Sequence, residues 1–142
     1  MHSANLALLL HVLVEVPASL SFLLGARRQL RDPNPSPEAV LVCQSYGGLL
    51  LSTNVLCFLF LCYRGSSSSS NVDDATAIVA ASLAVYHVFP IWRAWARIRG
   101  LGQHGRGWAQ QAEALGGPHV HLVVHVLLLV SLTWAGLHGM VN

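Results

Sequence analysis

Residues 6–25 read LALLLHVLVEVPASLSFLLG, and this stretch decides the fold. At 1.5 Å of rise per residue it matches a hydrocarbon core about 30 Å thick. Two ionisable side chains interrupt it, His11 and Glu15, four residues apart and so on one face of a helix, with Pro17 just beyond. A cleaved secretory signal would carry a basic leading region and an uncharged centre; this segment has neither, so it is expected to stay as a membrane span.

Working outward, apolar runs of similar length recur at 39–63, 75–95 and 119–141. Arg27 to Asp32 and then Pro33, Pro35 and Pro37 separate the first two runs. Gly65, the serine run 66–70 and Asn71 separate the next pair, with Asp73 and Asp74 as N-cap and first-turn residues of the third helix. The glycine-rich stretch 100–117 precedes the fourth run, and 108–115 within it reads as a short interfacial helix. No period-two alternation marks a barrel. The expectation is an all-α, four-helix transmembrane bundle in a single domain.

Composition agrees. Of 142 residues, 54% are hydrophobic and 10% charged, and every basic residue is arginine. A net charge of +2 offers no basic surface for nucleic acid. Cys43, Cys57 and Cys62 form no Cys-x-x-Cys pair and suit packing better than chemistry. Arg27, Arg28, Arg31, Arg93, Arg97, Arg99 and Arg106 lie in or beside the first and third connections, and only Arg64 flanks the second. The positive-inside rule therefore puts those two connections in the cytoplasm and both termini on the lumenal or extracellular side. The membrane of a eukaryotic cell that best suits such a chain is the endoplasmic reticulum.

An ionisable group at the centre of a span costs ~2.5–3.5 kcal/mol on insertion, so each one calls for placement. Every span carries one small-or-polar stripe: His11, Glu15, Ala18; then Tyr46, Gly47, Thr53, Asn54, Cys57; then Ala80, Ala84, His87; then His121, His125. Counting rise from the boundaries brings Glu15, Tyr46, His87 and His125 toward one layer, with His11 and Asn54 above it and His121 below. Pro17 and Pro90 free the carbonyls of Leu13 and Tyr86 near that level, which lipid tolerates only beside protein or a wet cavity.

Plainer roles stand beside this one. Interhelical hydrogen bonding suits the histidines, interfacial anchoring suits Tyr46 and the tryptophans, and snorkelling suits Arg93 and Arg97. The chemical reading makes Glu15 the principal acid/base, tuned by His11, with His87 and His125 completing proton transfer on a lipophilic substrate that arrives from the bilayer. Isomerisation or cyclisation of a terpenoid, sterol or polyketide-like molecule fits that equipment. No Asp-x-x-Asp motif for a magnesium diphosphate and no nucleophile elbow occurs.

The element His11-Val12-Leu13-Val14-Glu15 resembles the acid/base pair of the emopamil-binding sterol-isomerase family. That resemblance implies an Asn and a Trp in the substrate cavity, at Asn54 and Trp134. The chain is also similar in outline to small four-span membrane proteins of filamentous fungi, some encoded with natural-product pathways. Two other classes remain open. One is a scaffold or lipophile-binding subunit, which could be a homo-oligomer. The other is a cofactor protein, with haem between His87 and His125 or His11, or a metal at His121 and His125. The small residues that would open a planar slot are few, so no haem and no other cofactor is expected.

Overall fold

The computed structural model describes residues 3–30, 32–66, 70–104 and 117–141. They form α1 (Ser3–Leu24), α2 (Ala26–Gln29), α3 (Pro37–Ser66), α4 (Ser70–His104) and α5 (Gly117–Val141), with no strand among the described residues. Four of these contain segments long and apolar enough to cross a membrane: Asn5–Leu24, Pro37–Cys62, Asp74–Arg99 and Gly117–Gly139. The chain is a multi-pass, all-α four-helix bundle.

Local chemistry explains the joints. Gly25 ends α1, and Gln29 Nε2 donates to Ser21 Oγ to fold the short α2 back against it. Pro37, expected to stop a helix, instead opens α3 at its first position, where its missing N–H is no loss. Ser36 caps that helix: its Oγ accepts from the Ala39 N–H at 3.2 Å and its carbonyl from the Val40 N–H at 3.2 Å. Gly117 starts α5 at φ 76°, a left-handed conformation suited to glycine.

Two expected boundaries move. Helix α4 begins at Ser70, so Asp73 and Asp74 fall inside its first turns and do not cap it. It also runs through Gly100 to His104. Serine and glycine lower helix propensity only modestly, and a long helix already propagating overrides them. Pro17 and Pro90 likewise lie within continuous helices. The interfacial helix expected at 108–115 lies outside the described residues.

The bundle is two antiparallel hairpins, α1 on α3 and α4 on α5, joined chiefly where α1 meets α5, while α3 and α4 scarcely touch. Small residues let the partners close. A Cβ on Gly136 would meet Ala81 Cβ at 2.9 Å, and one on Gly47 would meet Leu23 N at 2.9 Å. One apolar core gathers Leu8, Cys57, Ala80, Leu83, Ala84 and Leu132; a second gathers Phe22, Ala26, Cys43 and Leu50. Along α1 these cores are separated by His11, Glu15 and Ser19, all buried. The outside is Leu, Val, Ile and Phe, the inverse of a soluble bundle and suited to acyl chains.

Candidate functional site

Helical spacing builds the site. On α1, His11 and Glu15 stand one turn apart on the inward face, followed by Ser19, whose Oγ donates locally to the Val16 carbonyl at 2.8 Å. Helix α4 supplies His87 and α5 supplies His125, both buried. The antiparallel pairing that sets Gly136 against Ala81 brings these two to the same level.

The three imidazoles form a chain. His11 Nδ1 lies 3.1 Å from His87 Nε2, and His87 Nδ1 lies 2.9 Å from His125 Nδ1. A neutral imidazole has one N–H, so the bonds must run in one sense. Either His11 donates to His87 and His87 to His125, or both bonds reverse. A proton entering at one end and leaving at the other exchanges the two states. His11 Nε2 ends the chain without a hydrogen-bond partner among the described residues.

Glu15 flanks this chain. Its Oε1 lies 3.5 Å from His125 Nδ1 and 3.9 Å from His87 Nδ1. The side chain is 1% exposed, yet Oε1 accepts no hydrogen bond among the described residues. The reason is geometric: the two nitrogens nearest to it share one proton between themselves. His11, Glu15 and His87 also bring ligand atoms within 4.8 Å of one another, close enough to share a metal ion.

Around the cluster, Tyr86 packs its ring 5.0 Å from that of His87 and shares a 2.9 Å hydroxyl–hydroxyl hydrogen bond with Tyr46 of α3. Tyr46 in turn stands edge-on to Phe22 at 5.0 Å. His121 holds its Nδ1 3.0 Å from the Gly117 carbonyl oxygen, with its ring 6.0 Å from that of His125.

A cavity of about 240 Å³ opens between α1 and α5, walled by Leu13, Val14, Pro17, Ala18, Val120 and Val124, with Glu15, His121 and His125 as its polar part. Leu13, whose carbonyl Pro17 leaves without its helical donor, borders it. A narrow polar crevice of about 20 Å³ also borders Glu15, His121 and His125 and runs among Gln29, Tyr86, Arg93 and Arg97; it has room for about one water. A wider hollow of about 510 Å³ beside Tyr46, Arg93 and Arg97 touches none of the His/Glu cluster.

The structure thus brings together Glu15, His11, His87 and His125, with Tyr46 one residue removed through Tyr86. Asn54 is buried, one turn from Cys57 of the first core, and neither its Oδ1 nor its Nδ2 has a hydrogen-bond partner among the described residues. Trp134 stands apart: it is 63% exposed on the outer face of α5, its ring 5.9 Å from His138. Two neighbours of the cluster do not stand out in the sequence. Tyr86 enters there only through its carbonyl, and Arg93, which lies over the Phe22 ring at 5.5 Å and lines the crevice, only as a snorkelling side chain. Their signal is present: Tyr86, Pro90, Arg93 and Arg97 recur at the spacing of one helical face.

No protein-family model matches the chain, and no curated protein and no solved structure matches it either.

Proposed function

We propose that the cavity between α1 and α5 takes the reactive part of a lipophilic molecule and that Glu15 and the histidines isomerise or cyclise it by proton transfer. One observation carries the reading: a buried carboxylate, one of whose oxygens (Oε1) has no hydrogen-bond partner among the described residues, stands beside two histidines in the wall of an apolar cavity between two membrane-spanning helices. A cluster serving only to glue helices would satisfy its own polar atoms. Here the unsatisfied oxygen belongs to the group best able to exchange a proton.

Size refines the substrate. Pockets that engulf a whole ligand run to about 300–1,000 Å³, so a space of about 240 Å³ holds the reacting end while the remainder stays among acyl chains. Glu15 exchanges the proton with the substrate, His125 and His87 pass it along, and His11 closes the chain. Tyr46 acts through Tyr86, and Asn54 offers an unused donor and acceptor. Trp134 would reach substrate only on the lipid side. The resemblance of the His11–Glu15 element to the sterol-isomerase pair supports the chemistry and leaves the substrate's skeleton open.

The test begins with mass spectrometry of small molecules retained by the chain in mild detergent, followed by turnover of the molecule found. Glu15→Gln preserves size and removes proton exchange. It should retain the ligand and lose turnover by about 10²–10⁴-fold, the worth of a positioned acid or base. Full turnover by that variant would make the carboxyl structural.

A further inference from the structure

We infer that Glu15 Oε1, His87 Nδ1 and His125 Nδ1 are the ligands of a divalent transition-metal ion. The three atoms stand 2.9, 3.5 and 3.9 Å apart, and a triangle with those sides has a circumscribed radius of about 2.0 Å. Zinc sits ~2.0–2.1 Å from imidazole nitrogen and ~2.0–2.2 Å from carboxylate oxygen. An ion at, or slightly above, the centre of this triangle is therefore at bonding distance from all three atoms.

Polar satisfaction points the same way. With protons alone, the two Nδ1 atoms share one hydrogen and Glu15 Oε1 is left without a partner at 1% exposure. With an ion, both nitrogens and the oxygen are satisfied together. Metal-bound through Nδ1, His87 carries its proton on Nε2 and donates it to His11 Nδ1, 3.1 Å away. That is the outer bond by which ligating histidines are normally held in one tautomer. Two histidines and one carboxylate form a set that binds zinc or ferrous iron and leaves a coordination position open. Glu15 and His125 both border the cavity, so the open position faces the space proposed for substrate.

This assignment rests on the cavity reading for its substrate and replaces the part given there to Glu15. An ion here selects lipophiles that carry an oxygen function, a carbonyl or hydroxyl, because that oxygen takes the open position. Glu15 then serves as a ligand, and water held on the ion takes its place as the proton acceptor.

The experiment uses the full chain purified in mild detergent without chelator. Elemental analysis should find about one zinc or iron per chain, the stoichiometry of a single closed ligand set. After stripping, cobalt(II) titration should restore one saturable visible absorption band and raise the thermal midpoint. Glu15→Gln and His125→Asn should lose the band, His11→Asn should weaken cobalt binding by about 10–100-fold as an outer-shell change, and His119→Ala, exposed on α5, should leave it intact. A wild-type chain that binds neither zinc, ferrous iron nor cobalt in excess overturns the site. So does undiminished binding by both ligand variants, whatever their stability. A metal-free chain that still retains a lipophile removes the ion and spares the cavity reading; a chain that holds the ion and retains no lipophile supports the ion and removes the substrate.

Discussion

Tyr86 stands among the Tyr46 hydroxyl at 2.9 Å, the His87 ring at 5.0 Å and the Glu15 carboxylate. Its hydroxyl bond ties α3, which otherwise hardly meets α4, to the helix that bears His87. Removing either hydroxyl breaks the bond between the two helices, which costs ~1 kcal/mol or somewhat more. Tyr46→Phe and Tyr86→Phe should each lower the unfolding midpoint in detergent. The double variant should lose less than the sum, because the shared bond can be lost only once. Additive losses would mean that the two hydroxyls act separately. Glu15, His87 and His125 were legible in the sequence because an ionisable group inside an apolar run has few reasons to be there. Tyr86 and Arg93 were hidden by a default, since aromatic and arginine side chains near the end of a span usually mark only the interface. Trp134 was named by the resemblance alone, and helical phase leaves that indole exposed on the outer face of α5.

Helix pairing depends on glycines whose surroundings differ sharply. A Cβ at Gly136 would stand 2.9 Å from Ala81 Cβ and 3.0 Å from Ala81 N, and backbone cannot yield unless α4 and α5 separate. At Gly47 it would stand 2.9 Å from Leu23 N, whereas at Gly48 nothing lies within 4 Å. Gly136→Ala and Gly47→Ala should therefore destabilise by ~1–3 kcal/mol, the range of overpacked cores. Gly48→Ala should cost nothing and even gain a little from helix propensity. Thermal unfolding of the three variants in one detergent checks this, and a Gly48 variant as damaged as the others would contradict it. Existence and number of the spanning helices could be read from apolar run length. Their ends could not, because Ser70, Gly100 and Pro37 are local signals whose outcome depends on where the helix already runs. Partner choice was equally hidden: lipid gives apolar faces no preference among neighbours, and pairing follows close fits that only coordinates reveal.

Across the molecule, the polar cluster and the arginines share a direction. Arg93 and Arg97 border the crevice beside Glu15, and α4 carries both beyond the cluster toward Arg99. Together with Arg27 and Arg28 on α2, they gather at the end where α1 turns into α3 and where α4 leaves its span. Arginine bias of this kind orients a membrane protein with that end in the cytoplasm. The predicted topology puts the 25–36 and 105–116 connections in the cytoplasm and the 67–69 connection on the opposite side. In a background of Cys43→Ala, Cys57→Ala and Cys62→Ala, single cysteines at Asn34→Cys, Ser68→Cys and Gly107→Cys test this directly. A membrane-impermeant thiol reagent applied to sealed cells, or to sealed vesicles of known orientation, should label position 68 from the outer or lumenal side. Positions 34 and 107 should react only after the membrane is opened. Two spans separate positions 34 and 107, so they must share a side in any four-span path and the outcome is binary. Labelling of 34 and 107 but not 68 in intact membranes would invert the orientation. Equal labelling of all three from one side would break the four-span path itself.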